Sequence, residues 1–159
     1  MKRHLQIAEE YLVLGASLAV DDFHVQLDAA QFWLNRMNSE EYESDELVSQ
    51  SDPYLKRALA INRNNPEGLY AAGRYLYASG DTEQAIQIMM LAADLAPAVQ
   101  SLRWTLAELL FEDGRLDEAL LYANDILLLS HGRSAQVDAA RALIGRIKLA
   151  HQSPAAGSN

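Results

Sequence analysis

Between Pro66 and Pro97 the chain reads PEGLYAAGRYLYASGDTEQAIQIMMLAADLAP. Leu69, Ala72, Gly73 and Leu76 fall at helical spacing and form one apolar stripe. Ser79-Gly80-Asp81 then breaks the period, as a glycine closing one helix and an acid opening the next would. A second stripe follows at Ala85, Ile88, Met89, Ala92 and Ala93, and Pro97 ends it. The pattern predicts two amphipathic helices joined by a tight turn. Thirty-four residues on, much of it recurs: Leu76 maps to Leu110, Gly80 to Gly114, Ala85 to Ala119, Leu95 to Leu129, and Gly73 to the small Ala107. A fixed period of this length predicts stacked helical hairpins, because one hairpin cannot bury both of its apolar faces.

The same phases can be followed outward. Residues 3–18 predict a leading helix in which Ala8, Leu12, Gly15 and Ala16 repeat the spacing of Ala85, Met89, Ala92 and Ala93. Residues 23–37 predict the first helix of a repeat, with Leu27, Ala30, Gln31 and Leu34 in phase with Leu69, Ala72, Gly73 and Leu76. Asn38 to Ser51 is polar, with five acids and no base. It reads as an insertion, and Ser39 to Gln50 is expected to be an exposed, mobile loop outside the core. Asp52-Pro53 then reads as a capping acid and first-turn proline opening a helix that ends near Asn64. Leu55, Ala58, Leu59 and Ile61 would be its apolar positions. Residues 134–149 predict a closing helix with Val137, Ala140, Arg141 and Ile144 in the first-helix phase, Arg141 being awkward where Gly73 stood. The resulting division is a leading helix 3–18, a repeat with an acidic insertion 24–65, repeats 66–99 and 100–133, a capping helix 134–149, and a disordered tail 153–159.

The central unit resembles a tetratricopeptide repeat. The small residues stand where that family's paired helices touch, at Gly73, Ala85 and Ala92, and the Gly80-Asp81 turn and Pro97 also match. The second copy departs from the pattern at Arg103, where a large apolar residue is usual, at Ile126, where Ala is usual, and at His131, where Pro is usual. The resemblance covers roughly residues 24–149 and implies an all-α, right-handed solenoid of about three hairpins. It also implies a concave groove lined by the first helix of each pair. Mapped onto this chain, the groove positions are Asp28, Phe32 and Asn35, then Tyr70, Arg74 and Tyr77, then Trp104, Glu108 and Phe111, with Asp138 continuing the row. Aromatic and Arg side chains are typical interface anchors, although aromatics here also serve packing. Repeats that grip the carboxylate terminus of heat-shock chaperones use basic grooves. Here the bases are few, chiefly Arg36 and Arg74, so an amphipathic segment with apolar anchors and some basic residues fits better.

Composition narrows the function. Half of the 159 residues are apolar, which suits a helical domain with a continuous core. A net charge of −9 repels phosphate backbones, so nucleic acid is an unsuitable partner. There is no Cys, which excludes thiolate metal sites. The four His residues, His4, His24, His131 and His151, have no partner at ligand spacing, and no catalytic or phosphate-binding motif is present. No metal, cofactor or enzymatic activity is therefore expected. Tyr11 to Val20 is too short to span a bilayer, and the chain is taken as cytoplasmic. The leading reading is a non-enzymatic adaptor that binds a peptide or amphipathic helix in its groove. Two others stand beside it: a secretion chaperone resembling the type III translocator chaperones, and a regulatory or scaffold subunit of an enzyme complex. A homo-oligomer is compatible with all three.

Overall fold

A computed structural model describes residues 2–36, 43–130 and 135–152. Within them the chain forms eight helices and no strand: α1 (Lys2–Leu18), α2 (Phe23–Leu34), α3 (Ser44–Ile61), α4 (Pro66–Ala78), α5 (Thr82–Leu95), α6 (Gln100–Glu112), α7 (Leu116–Leu129) and α8 (Ala135–Gln152). The fold is all-α, as the hydrophobic period predicts. The chain divides into two compact units, Met1–Ala92 and Ala93–Asn159. His131, Gly132 and the tail at 153–159 lie outside the described residues.

The turns repeat as the sequence does. Gly80 and Gly114 both have positive φ, +84° and +80°, a backbone region that Gly enters without strain. After α4, the Asp81 amide bonds to the Leu76 carbonyl at 2.9 Å and the Gly80 amide to Tyr77 at 3.0 Å. After α6, the Arg115 amide bonds to Leu110 at 2.9 Å and the Gly114 amide to Phe111 at 3.2 Å. The paired bonds satisfy carbonyls that a helix end leaves open. Asp81 also accepts from the Gln84 amide at 3.3 Å, so the acid does cap the following helix.

In the first unit, Phe23, Leu27, Ala30 and Leu34 of α2 meet Leu55 and Ala58 of α3 and Ala71 and Ala72 of α4. Asn65 caps α4 through its side chain, and Pro66 stands at the first helical position, where its missing amide costs nothing. Gly73 and Ala85 are buried. A Cβ at Gly73 would stand 2.4 Å from Met89 Cγ and 3.3 Å from the Ala85 carbonyl oxygen. The small residue is there because α4 and α5 approach closely. Leu76 is only half-buried, and Ile61 and Leu95 are exposed, so the inferred stripes are wider than the packed faces.

The acidic segment corrects the sequence reading. Residues 37–42 lie outside the described residues, but α3 begins at Ser44 and runs unbroken to Ile61, with Pro53 inside it rather than at its start. Leu47 is fully buried, as is Ser51. Leu47, Ser51, Leu55 and Ala58 make an apolar-to-small stripe at helical spacing, with the acids on the other sides. Ser44 to Gln50 is therefore part of the packed structure. Pro53 leaves the Ser49 carbonyl without its helical donor; one turn back, Ser51 Oγ donates to the Val48 carbonyl at 3.0 Å. Asp52, freed from a capping role, pairs with Lys56 at 2.8 Å and accepts from the Tyr75 hydroxyl at 2.9 Å. Lys56 first, and Tyr75 with it, hold the Asp52 carboxyl below its ordinary range.

Helix α1 also packs less than its stripe suggests. Ala16 is buried and Leu12 and Gly15 are half-buried, while Ala8 is exposed. Gln26, fully buried on α2, donates its side-chain amide to the carbonyls of Ala16 at 2.7 Å and Ala19 at 3.0 Å. These bonds fix the carboxyl end of α1.

In the second unit, Leu102, Leu106 and Leu110 of α6 meet the core with Ala119, Ala123 and Ile126 of α7 and Val137, Ala140, Leu143 and Ile147 of α8. On α8, Arg141 is exposed and paired with Asp138 at 3.3 Å; Leu143 and Ile147 are buried instead. A charged side chain cannot fill a Gly position, and the helix turns its apolar residues inward around it. Arg103 does hold the inward position where Leu69 stands in the preceding repeat, and is 8% exposed. It donates to the Pro97 carbonyl, and Asp125 stands 3.7 Å from its Nε, an ion-pair distance without a hydrogen bond to that nitrogen.

The glycines predict opposite stability effects. Gly73→Leu should destabilise by about 1–3 kcal/mol through overpacking against Met89 and Ala85. A Cβ at Gly145 in α8 would meet nothing within 4 Å, so Gly145→Ala should stabilise by roughly 0.5–1 kcal/mol. Urea unfolding of both variants checks the signs. A second comparison tests α3: Leu47→Ala should cost about 2–4 kcal/mol, where a residue in a mobile loop would cost nothing measurable.

Candidate functional site

The first unit carries six of the groove positions, on α2 and α4. Leu69, Ala72 and Gly73 face the core, so Tyr70, Arg74 and Tyr77, spaced four and three residues apart, share the opposite face. Tyr70 and Arg74 are half-buried, and Tyr77 is 41% exposed. On α2, Phe32 is half-buried and Asp28 is exposed, as is Asn35, the residue that caps its end.

Arg74 ties the two helices together. Its Nη1 donates to Asn35 Oδ1 and its Nη2 to the Leu34 carbonyl, both at 2.7 Å, and its guanidinium lies 6.0 Å from the centre of the Tyr70 ring. The Leu34 carbonyl belongs to the last turn of α2, which the helix itself leaves without a donor. Arg36 is also engaged, 3.4 Å over the Phe32 ring, while Phe32 stands edge-on to the buried Trp33. The structure thus joins Asn35, Tyr70 and Arg74 into one contact set and gives Phe32 a separate cationic neighbour.

The second unit carries Trp104, Glu108 and Phe111 along one face of α6, all half-buried. The Trp104 indole donates to the Glu108 carboxylate. Arg146, reaching in from α8, stacks its guanidinium 4.5 Å from the centre of the Phe111 ring. Burial pushes the Glu108 carboxyl above its ordinary range, and the neighbouring Glu112 adds to the shift; Arg146 and the Trp104 bond offset part of it. Arg146 falls within the closing helix 134–149 that the sequence predicts, and nothing in the sequence connects it with Phe111. The two are thirty-five residues apart, and only the packing of α8 on α6 brings them together. Asp138 is exposed and paired with Arg141.

A further feature has no counterpart in the sequence reading. In the first unit, α3, α4 and α5 border an open cleft of about 500 Å³, with Leu55, Leu59, Leu69, Leu76 and Ile88 among its walls. The Asp52–Lys56–Tyr75 contacts stand at its edge, with Arg63 nearby. Its α3 residues lie in the stretch the sequence already reads as a helix, but the cleft arises only from how α3, α4 and α5 pack. Among the described residues no group of three or more His, Asp or Glu side chains is placed to hold a metal ion, and no helix is long and apolar enough to cross a membrane.

Glu108 predicts a pH signature. Its carboxyl is harder to ionise in the folded than in the unfolded chain, so stability attached to it is complete below the ordinary Glu range and falls as pH rises through the folded value. Glu108→Gln should therefore raise the Tm at neutral pH, and the gain should vanish in acid, where both forms are neutral. Thermal melts of the two proteins across that range measure the difference.

Residues 76–144 match the model of the tetratricopeptide repeat family. No curated protein matches the chain. Solved structures do resemble it. MamA shares 14% identity over 95% of this chain and 81% of its own, with a TM-score of 0.74. TTC0263, a thermophilic protein of the same repeat family from Thermus thermophilus, shares 20% over 91% of this chain and 73% of its own, also at 0.74. SycD, the type III secretion chaperone of Yersinia enterocolitica, solved in complex with a peptide of the translocator YopD, shares 15% over 78% of this chain and 92% of its own, at 0.60. At these identities the likeness establishes the fold. With the family match and the repeated Gly80 and Gly114 turns, it gives the chain an all-α fold that carries the tetratricopeptide repeat of that family within residues 76–144.

Proposed function

We propose that the chain is a non-enzymatic, cytoplasmic adaptor that binds a peptide or amphipathic helix of a partner protein. The observation that carries this reading is the set of aromatic side chains held at partial exposure on helix faces opposite the core: Phe32, Tyr70 and Tyr77 in the first unit, Trp104 and Phe111 in the second. Each keeps apolar surface in contact with water, which a partner's apolar face would remove. Arg74 and Asn35 hold the α2–α4 contact in place through bonds within the chain, which favours a surface that loses little freedom on binding.

Charge supports the choice of partner. The two bases of the first-unit surface, Arg36 and Arg74, are already engaged with Phe32, Asn35 and Leu34. Glu108, by contrast, bears a burial cost that a basic partner residue would relieve. An amphipathic segment with some Lys or Arg satisfies both conditions; a nucleic acid or an acidic tail satisfies neither. A second reading, a secretion chaperone with a dedicated client, draws support from the fold likeness to SycD, which spans 92% of that chain. Co-expression separates the two: a chaperone keeps one otherwise aggregating client soluble, while an adaptor joins proteins that fold alone.

Affinity capture with mass spectrometry supplies the partner, and calorimetric titration of the purified partner then tests the surface. The double variant Tyr70→Ala/Tyr77→Ala should lose about 2–4 kcal/mol of binding, thirtyfold or more, with helicity unchanged. Unchanged affinity in a folded variant removes this face from the reading and leaves the α3–α5 cleft as the next surface to mutate.

A further inference from the structure

The cleft bordered by α3, α4 and α5 lies wholly within the first unit. Its floor is apolar. Leu55 and Leu69 are buried, while Leu59, Leu76 and Ile88 are half-buried and keep apolar surface open to water. Its polar groups divide between the two ends. At one end Asp52 pairs with Lys56 at 2.8 Å and accepts from the Tyr75 hydroxyl at 2.9 Å, so its charge is met within the chain. At the other, Arg63 stands in the turn between α3 and α4. Its side chain borders the cleft, is exposed, and makes no ion pair or hydrogen bond among the described residues. From Asp52 to its end at Ile61, α3 gives the cleft a wall of about 14 Å.

We propose that this cleft binds a fatty acid, with the alkyl chain along Leu59, Leu76 and Ile88 and the carboxylate at Arg63. The inference is independent of the proposed partner surface, since it uses none of the same residues. Size favours a small molecule over a protein segment. A cleft of about 500 Å³ falls within the roughly 300–1,000 Å³ of small-molecule sites, which pair apolar walls with a few placed polar groups. One turn of a helix, about 10 Å across and about 5.4 Å long, would already fill most of it. An alkyl chain instead lies along the apolar floor and removes it from water. Charge selects the head group. In a chain of net charge −9, the unpaired group at this cleft is a cation, and an anion there gains a partner without displacing one. A cationic head would face Arg63 with like charge, and Asp52 is already held by Lys56 and Tyr75.

Calorimetric titration of the full chain with octanoate, decanoate and dodecanoate, each below its micelle concentration, tests the proposal. Affinity should rise about twofold to fourfold for each added methylene as alkyl surface is buried. Dodecyltrimethylammonium, with the same tail and a cationic head, should bind about tenfold more weakly than dodecanoate. Arg63→Ala should weaken dodecanoate about fivefold, the worth of an exposed ion pair, without weakening the cationic amphiphile. Ala60 is exposed on the cleft wall, and Ala60→Phe should block the alkyl chain with helicity retained. No binding of dodecanoate to the wild-type chain, or an affinity indifferent to tail length, overturns the proposal. Equal affinity of the two head groups, or of wild type and Arg63→Ala for dodecanoate, removes the carboxylate from Arg63. Unchanged binding by folded Ala60→Phe refutes the cleft.

Discussion

The close approach of α4 to α5 at Gly73 is the constraint on which the hairpin depends. A Cβ there would collide with Met89, which is itself buried, and would crowd the Ala85 carbonyl. Helix axes can come this near only where one partner has almost no side chain, and packed interiors have little slack to absorb more. The close approach has a second consequence on the same helix. With Leu69, Ala72 and Gly73 turned to the core, Tyr70, Arg74 and Tyr77 must occupy the other face. Packing at a glycine thus fixes which side chains can meet a partner.

Much of this was legible because it is local and repeats. The turn glycines, the small residues at the hairpin contact and the helix phases of α4 to α7 are set by spacing alone, and a period that recurs thirty-four residues later reinforces each inference. The failures have physical causes. In the stretch 38–51 the acid count outweighed a sparse inward stripe, although a helix buried on one side needs only one residue per turn to be apolar or small. Leu47 and Ser51 suffice. Pro53 looked like a helix start because an interior proline is costly, yet α3 runs through it unbroken from Ser44 to Ile61. Arg103 was a departure in sequence but not in register: it keeps the inward position and carries its charge to Pro97 and Asp125. No spacing rule could supply the Arg146–Phe111, Arg74–Leu34 or Tyr75–Asp52 contacts, because each joins side chains or carbonyls of different helices.

The electrostatics of the two candidate surfaces differ in kind. In the first unit the cations are spent on internal order: Arg74 closes the end of α2 and Arg36 covers Phe32. In the second unit an acid is left at a cost, with Glu112 beside it and only Arg146 and Trp104 to compensate. On the proposed reading, the aromatic face of the first unit calls for apolar surface and the Glu108 carboxylate of the second for a base. The chain's overall acidity acts in the same direction at longer range, favouring the approach of basic segments.

The central claim is that the chain meets its partner through the aromatic faces opposite the core. Hydroxyl-radical footprinting of the free protein and of its complex tests this most directly, because the tyrosines report different surfaces within one experiment. The account predicts that Tyr70 and Tyr77 become protected on binding, while Tyr75, at the edge of the α3–α5 cleft, keeps its reactivity. Protection of Tyr75 with Lys56 and Leu59, and none at Tyr70 or Tyr77, would contradict it.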